Sequence, residues 1–179
     1  MTIRHSMLPS RAAALGRAAL LALSCLTVAN LALAADDEES TWLEKASEAP
    51  RSFSVEKLQT FTVSQGSSLT YGIDPDTLTV GEDWVVRYVM VARSASGALN
   101  VFYEGIRCQS AEVKTYARWD NNRSTWHTPS NAEWKPLQLS GATRPAMILA
   151  REGLCNGNSV NGNPRKMLAT LKTGMYLQR

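Results

Sequence analysis

The sequence predicts an α+β domain: an antiparallel β-meander of about five strands, covered by one or two C-terminal helices and held by one disulfide. Three observations lead there. Between Leu58 and His127, short runs of alternating apolar residues are separated by Gly, Asn, Asp and Ser. After Thr143 the apolar spacing changes to that of helices. Two cysteines, Cys108 and Cys155, follow an N-terminal segment that reads as an export signal.

That segment comes first in the chain. Arg4, Arg11 and Arg17 precede an apolar run from Ala18 to Ala34 with no acidic residue among them, and the run ends on the small-x-small sequence Ala32-Leu33-Ala34. This is the order of a secretory signal peptide, residues 1–34, with cleavage expected between Ala34 and Ala35. A retained membrane anchor is the rival; it needs about 20 strongly apolar residues, and Ser24, Thr27 and Asn30 dilute this run. Cys25 lies within the apolar run without a lipoprotein spacing before it, and would leave with the signal. The expected location is therefore the periplasm, with membrane contact only through an uncleaved anchor.

Removing residues 1–34 changes the charge. The whole chain carries 19 Lys+Arg against 16 Asp+Glu, and three of those arginines lie in the signal, so residues 35–179 hold 16 of each. A neutral domain lacks the net or clustered positive charge of a nucleic-acid binder, and nucleic acid is not an expected partner. The remaining 145 residues, 179 less 34, are enough for one domain with a core.

Residues 35–57 are predicted as a polar N-terminal extension, with a short helix around Trp42-Leu43 ending before Pro50, loosely attached except at Trp42. Residues 58–155 form the predicted single α+β domain. Strand runs are Leu58–Val63, Leu69–Ile73 and Leu78–Val80, punctuated by Gln65–Ser68, Asp74-Pro75-Asp76 and Gly81-Glu82-Asp83. The strongest run, Trp84–Arg93, is apolar on both faces, as in a central strand covered on both sides. Ser94–Gly97 turns it into Leu99–Cys108. Glu112–Trp119 follows, with Val113, Thr115, Ala117 and Trp119 expected on one face, and Ser124–His127 reads as an edge strand. Thr143-Arg144-Pro145 starts a helix that Gly153 can end, with Met147, Ala150 and Leu154 on one face. Residues 156–179 are expected to hold a flexible polar loop and a short helix from Pro164 to Thr173, capped by Asn163, with Gly174 past its end.

An even cysteine count in an exported domain favours a disulfide between Cys108 and Cys155. The closed loop has 46 residues between the two, worth roughly 4 kcal/mol of unfolded-state entropy.

Catalytic and cofactor motifs are not apparent. His127 is the single histidine after the signal, and it reads as an exposed turn residue; Ser124 or Ser130 with Asp120 lacks a nucleophile-elbow sequence. A zinc site lacks ligands, and no phosphate loop, nucleotide fingerprint or EF-hand spacing occurs. Glu82-Asp83 reads as a solvated turn. Glu104, mid-strand, reads as an edge or solvent-facing charge; if buried, it needs a partner such as an arginine. Arg107 falls on the opposite face, towards Arg87's side or solvent. Trp119, Trp126 and Trp134 cluster around polar turns, where aromatics either pack the rim or stack on sugar rings.

The central block resembles the cryptic neisserial protein-like family of small exported proteobacterial proteins. The matching residues are Val85-Val86-Arg87-Tyr88 through Ser94, Asn100-Val101, Tyr103-Glu104-Gly105-Ile106-Arg107-Cys108, Tyr116-Ala117, Trp126, Trp134 and Cys155. The likeness spans about residues 40 to 155. It implies a periplasmic or envelope-associated domain and supplies no catalytic residues. The expected function is a non-enzymatic binding or structural domain of the envelope without a cofactor. Its surface would draw on Arg87, Glu104, Arg107, Trp119, Trp126 and Trp134, and its partner would be an envelope protein or glycan. Alternatives are an envelope hydrolase using Glu104 or His127, and an accessory of outer-membrane assembly.

Overall fold

The structure, a computed structural model, describes residues 42–173. The expected signal, its cleavage site at Ala34-Ala35 and Gly174 lie outside the described residues. The strands are β1 (Gln59–Phe61), β2 (Leu69–Ile73), β3 (Thr79–Val80), β4 (Val85–Ser94), β5 (Leu99–Arg107), β6 (Glu112–Asp120), β7 (Thr125–His127) and β8 (Lys135–Pro136). All pair antiparallel in one sheet of order β1-β2-β4-β5-β6-β7, with β3 against β4 and β8 against β6. Helix α1 (Arg144–Leu149) continues into a π-helical turn, Ala150–Leu154, and α2 (Pro164–Thr173) ends the described chain. The α+β class, the meander, both helices and the Cys108–Cys155 disulfide are as the sequence predicts.

Strand β4 organises two cores, because alternate side chains leave opposite faces. Val86, Tyr88 and Met90 join Ile106, Leu149, Leu154 and Met167 beneath the helices. Val89 and Val91 join Val101, Tyr103 and Ala117 on the other face. The expectation of a strand covered on both sides therefore holds, and the second cover is the N-terminal extension.

That extension departs from its predicted form. Residues 42–50 contain no helix, and the segment lies extended across the sheet. It is tied down by side chains rather than by a strand ladder. Trp42 Nε1 donates to the Asp83 carbonyl (2.9 Å), Ser47 Oγ meets the Tyr103 hydroxyl (2.6 Å), and Trp126 Nε1 donates to the Pro50 carbonyl (2.8 Å). Ser54 N–H donates to Asp74 Oδ2 (2.7 Å), and Phe53 packs edge-on to Trp119, with ring centroids 5.0 Å apart. A helix would turn half of these groups away from the sheet.

A second departure lies in β6. The β5–β6 register shifts between Tyr103 and Glu104, so Tyr103 opposes Ala117 while Glu104 opposes Thr115. Tyr116 is the extra residue of this bulge. Val113 and Thr115 consequently face the helices, and Ala117 and Trp119 face the extension, not one common face. Gly105 makes room for the displaced ring: a Cβ there would lie 2.8 Å from Tyr116 Cε2.

The disulfide joins the end of β5 to the residue after the π-helical turn, with Cα atoms 5.7 Å apart. Beyond it, β9 (Cys155–Asn156) and β10 (Ser159–Val160) form a small hairpin within the stretch expected as a loop. Asn161 is buried there, donating through Nδ2 to the Gly153 carbonyl (2.8 Å) and Thr170 Oγ1 (3.2 Å). Asn163 Oδ1 accepts from Lys166 N–H (3.0 Å), as a cap of α2 does.

Candidate functional site

Under the helices, β4, β5 and β6 form the floor of a cleft of about 370 Å³, closed opposite by the chain before β8 and the start of α1. Its walls are apolar: Tyr71, Met90, Phe102, Val113 and Ala146. Asn100, Thr115 and Arg118 add polar groups, and the exposed Glu133 and Lys135 stand on its rim.

Glu104 lies in this floor, 8% exposed. The hairpin turn at Ser94–Gly97 sets the register that brings Tyr88 opposite it. The turn at Cys108–Ala111 sets the register that brings Thr115 opposite on its other side, before the bulge at Tyr116. Glu104 Oε2 accepts from the Tyr88 hydroxyl at 3.3 Å and Oε1 from Thr115 Oγ1 at 3.2 Å. Both exceed the roughly 2.5–3.0 Å usual for O–H···O bonds. Burial pushes the Glu104 carboxyl up to about 7; the two hydroxyls and the nearby Arg118 charge oppose the rise without cancelling it. Its charge has no ion-pair partner: the four ion pairs among the described residues are Arg87–Asp83, Arg107–Glu112, Lys114–Glu44 and Arg123–Asp120. The arginine partner expected for a buried Glu104 is therefore replaced by two hydroxyls. Arg118 instead lies over the Phe102 ring, 4.8 Å from its centroid, and is itself exposed.

The other residues singled out in the sequence lie elsewhere. Arg87 is buried on the extension face, bonded to Asp83 through Nη1 (2.9 Å) and Nη2 (2.6 Å) and to the Lys45 carbonyl (3.1 Å). Asp83 is not the solvated turn residue expected. Burial works to raise its pKa, but Arg87 and the Lys45 and Val85 N–H groups outweigh that and hold it at about 2. Arg107 stacks on Trp42, 3.9 Å from the ring centroid. Trp119 and Trp126 are half-buried against Phe53, and Trp134 packs edge-on to Trp42 and donates to Glu44 (3.1 Å). His127 is exposed on β7 and does not line the cleft. Of the six surface candidates, only Glu104 faces the cleft.

Tyr88, Thr115 and Arg118 were not singled out from sequence. Tyr88 was accessible to such a reading, because a turn at Ser94–Gly97 pairs residues symmetrically about it. Thr115 was accessible in the same way from the turn at Cys108–Ala111, whereas Arg118 was not, because its placement depends on the bulge.

Comparison with curated proteins and with solved structures finds no match. The model of the CNP1-like family matches residues 37–172, from the extension through α2, beyond Cys155 where the resemblance read from the residues stops. That span covers most of the sequence, the whole cleft and both faces of the sheet, and the chain belongs to the CNP1-like family.

Proposed function

We propose that the protein is an exported, periplasmic domain that binds a small, largely apolar ligand in the cleft above Glu104 and does so without catalysis. The observation that carries the reading is the cleft itself. A space of this size, with apolar walls and few polar groups converging on it, is the usual form of a small-molecule site. The N-terminal signal pattern supports export. The aromatic cluster of Trp119, Trp126 and Trp134 serves this reading as packing for the extension, since its rings are engaged by Phe53, Trp42 and Pro50.

The test has two arms. Mass spectrometry of protein recovered from the periplasmic fraction is expected to find Ala35 as the first residue; an intact N-terminus in the membrane fraction overturns cleavage, and recovery in the cytoplasmic fraction overturns export. Saturable binding of an apolar fluorescent probe, N-phenyl-1-naphthylamine, is expected, and Ala146→Trp, which fills the cleft, is expected to abolish it. Probe binding that is absent, or indifferent to Ala146→Trp, overturns the cleft.

A second reading, an envelope hydrolase, is favoured by one observation: a carboxyl titrating near neutral pH is suited to general acid–base work. Turnover of envelope material that disappears in Glu104→Gln would establish it instead.

A further inference from the structure

The ligand's chemistry follows from what the floor of the cleft lacks. Glu104 is more than nine-tenths buried, lines an apolar space and has no cation bonded to it. Two long bonds from neutral hydroxyls engage one lone pair on each oxygen and leave acceptor capacity towards the cleft. A buried carboxylate without a counter-charge is costly, and a protonated carboxyl facing an apolar space forgoes strong bonds. A ligand carrying its own cation relieves both conditions, because charge-assisted bonds are the strong ones. Resting on the reading of the cleft as a binding site, we infer that it selects a free, single-chain primary amine, its ammonium bonded to Glu104 and its chain against Tyr71, Met90 and Val113.

The size of the space argues for a free molecule rather than an amine-headed phospholipid. About 370 Å³ lies at the small end of ligand sites, too little for a headgroup with two acyl chains. Few charged groups surround Glu104. From β2 comes the Tyr71 phenol, from β4 the Tyr88 phenol, and from β6 Thr115 and Arg118. From the opposing segment come Glu133 and Lys135 on the rim, which offset one another, and α1 contributes only the uncharged Pro145 and Ala146. His127, paired with Arg118 across β6 and β7, is exposed. Arg118 is the cation nearest the ligand; its exposure lets solvent screen it.

Binding of an ammonium group requires ionised Glu104, so affinity follows the ionised fraction. With the free carboxyl titrating at about 7, affinity rises with pH, and is expected to be about tenfold tighter at pH 8 than at pH 6. The ammonium itself stays protonated until about pH 10.

Isothermal titration of the purified, oxidised protein with octylammonium, octanol and octanoate separates the outcomes. Octylammonium is expected to bind at least tenfold tighter than either competitor at pH 8, with the rise from pH 6. Glu104→Gln is expected to remove both the preference and the pH dependence. Octanol or octanoate binding as tightly as octylammonium to the unsubstituted protein overturns the inference and leaves the cleft as a site for apolar ligands. No binding of any of the three overturns both readings. Binding to phosphatidylethanolamine vesicles, but not to octylammonium, overturns the free-amine assignment. The wild-type ligand preference and pH profile decide the matter even where the variant fails to fold.

Discussion

Replacing Glu104 with glutamine is expected to stabilise the unliganded protein at pH 8 and to leave it nearly unchanged at pH 4.5. The reasoning starts from burial. In the unfolded chain the carboxyl titrates at an ordinary glutamate's 4.5, and in the fold at about 7. Between those values the folded state binds more protons than the unfolded state, so stability falls as pH rises. Below about 4.5 both states are protonated and no difference arises; above 7 the full penalty is present. At about 1.4 kcal/mol per pH unit, the displacement amounts to about 3 kcal/mol. Glutamine keeps the shape and can still bond Tyr88 and Thr115, whose hydroxyls rotate to donate or accept. Urea unfolding of both proteins, oxidised, at steps between pH 4.5 and 8 measures the effect, and taking the difference cancels every other titrating group. The expected gain from the substitution grows with pH to about 2–3 kcal/mol, after about 1 kcal/mol is allowed for altered hydrogen bonds. A difference that is flat across the range, or a variant that loses most at high pH, would refute a buried, cation-free carboxyl.

Four other sites have expected outcomes. Asp83→Ala leaves Arg87 buried without its counter-ion and is expected to cost about 3–5 kcal/mol in urea unfolding, much of it recovered when Arg87→Met is added. Because Asp83 is held at about 2, its contribution is present above about pH 4 and is expected to vanish as pH falls towards 2, in wild type but not in Asp83→Ala. Replacing both Cys108 and Cys155 with alanine is expected to lower stability by roughly 4 kcal/mol, read as a lower urea midpoint matching that of the reduced wild type. Gly153→Ala would set a Cβ 2.7 Å from Leu171 Cγ and 3.0 Å from the Met167 carbonyl oxygen, and is expected to cost about 1–3 kcal/mol. Gly66→Ala, in open space, is expected to stay within about 0.5 kcal/mol by the same thermal or urea assay.

Local pattern was enough for most of the fold. The two-faced apolar run of β4 announces a central strand because period-two alternation places side chains on both faces, and here both are apolar. The turn at Ser94–Gly97 places β5 beside it, and Pro164 with Asn163 before it starts α2 where such residues can. The disulfide was legible because only two cysteines lie beyond residue 34. In each case the deciding interaction joins residues close in sequence, or leaves a single pairing open.

The site was legible only as one residue, Glu104, and its surroundings were not. Three facts decide its character. The extra residue at Tyr116 shifts the register by one, which brings Arg118 opposite Phe102 at the cleft and moves Trp119 to the opposite face. Arg87 lies on the other face and is taken by Asp83. The extension from Trp42 to Phe53 covers that second face by side-chain bonds that no period in its own sequence encodes. Sequence by itself determined that this chain is an α+β meander with a Cys108–Cys155 disulfide, because periodicity, turns and cysteine count are local properties. Only the tertiary structure decided which charges are buried and what faces them, because burial depends on how segments far apart in the chain come together.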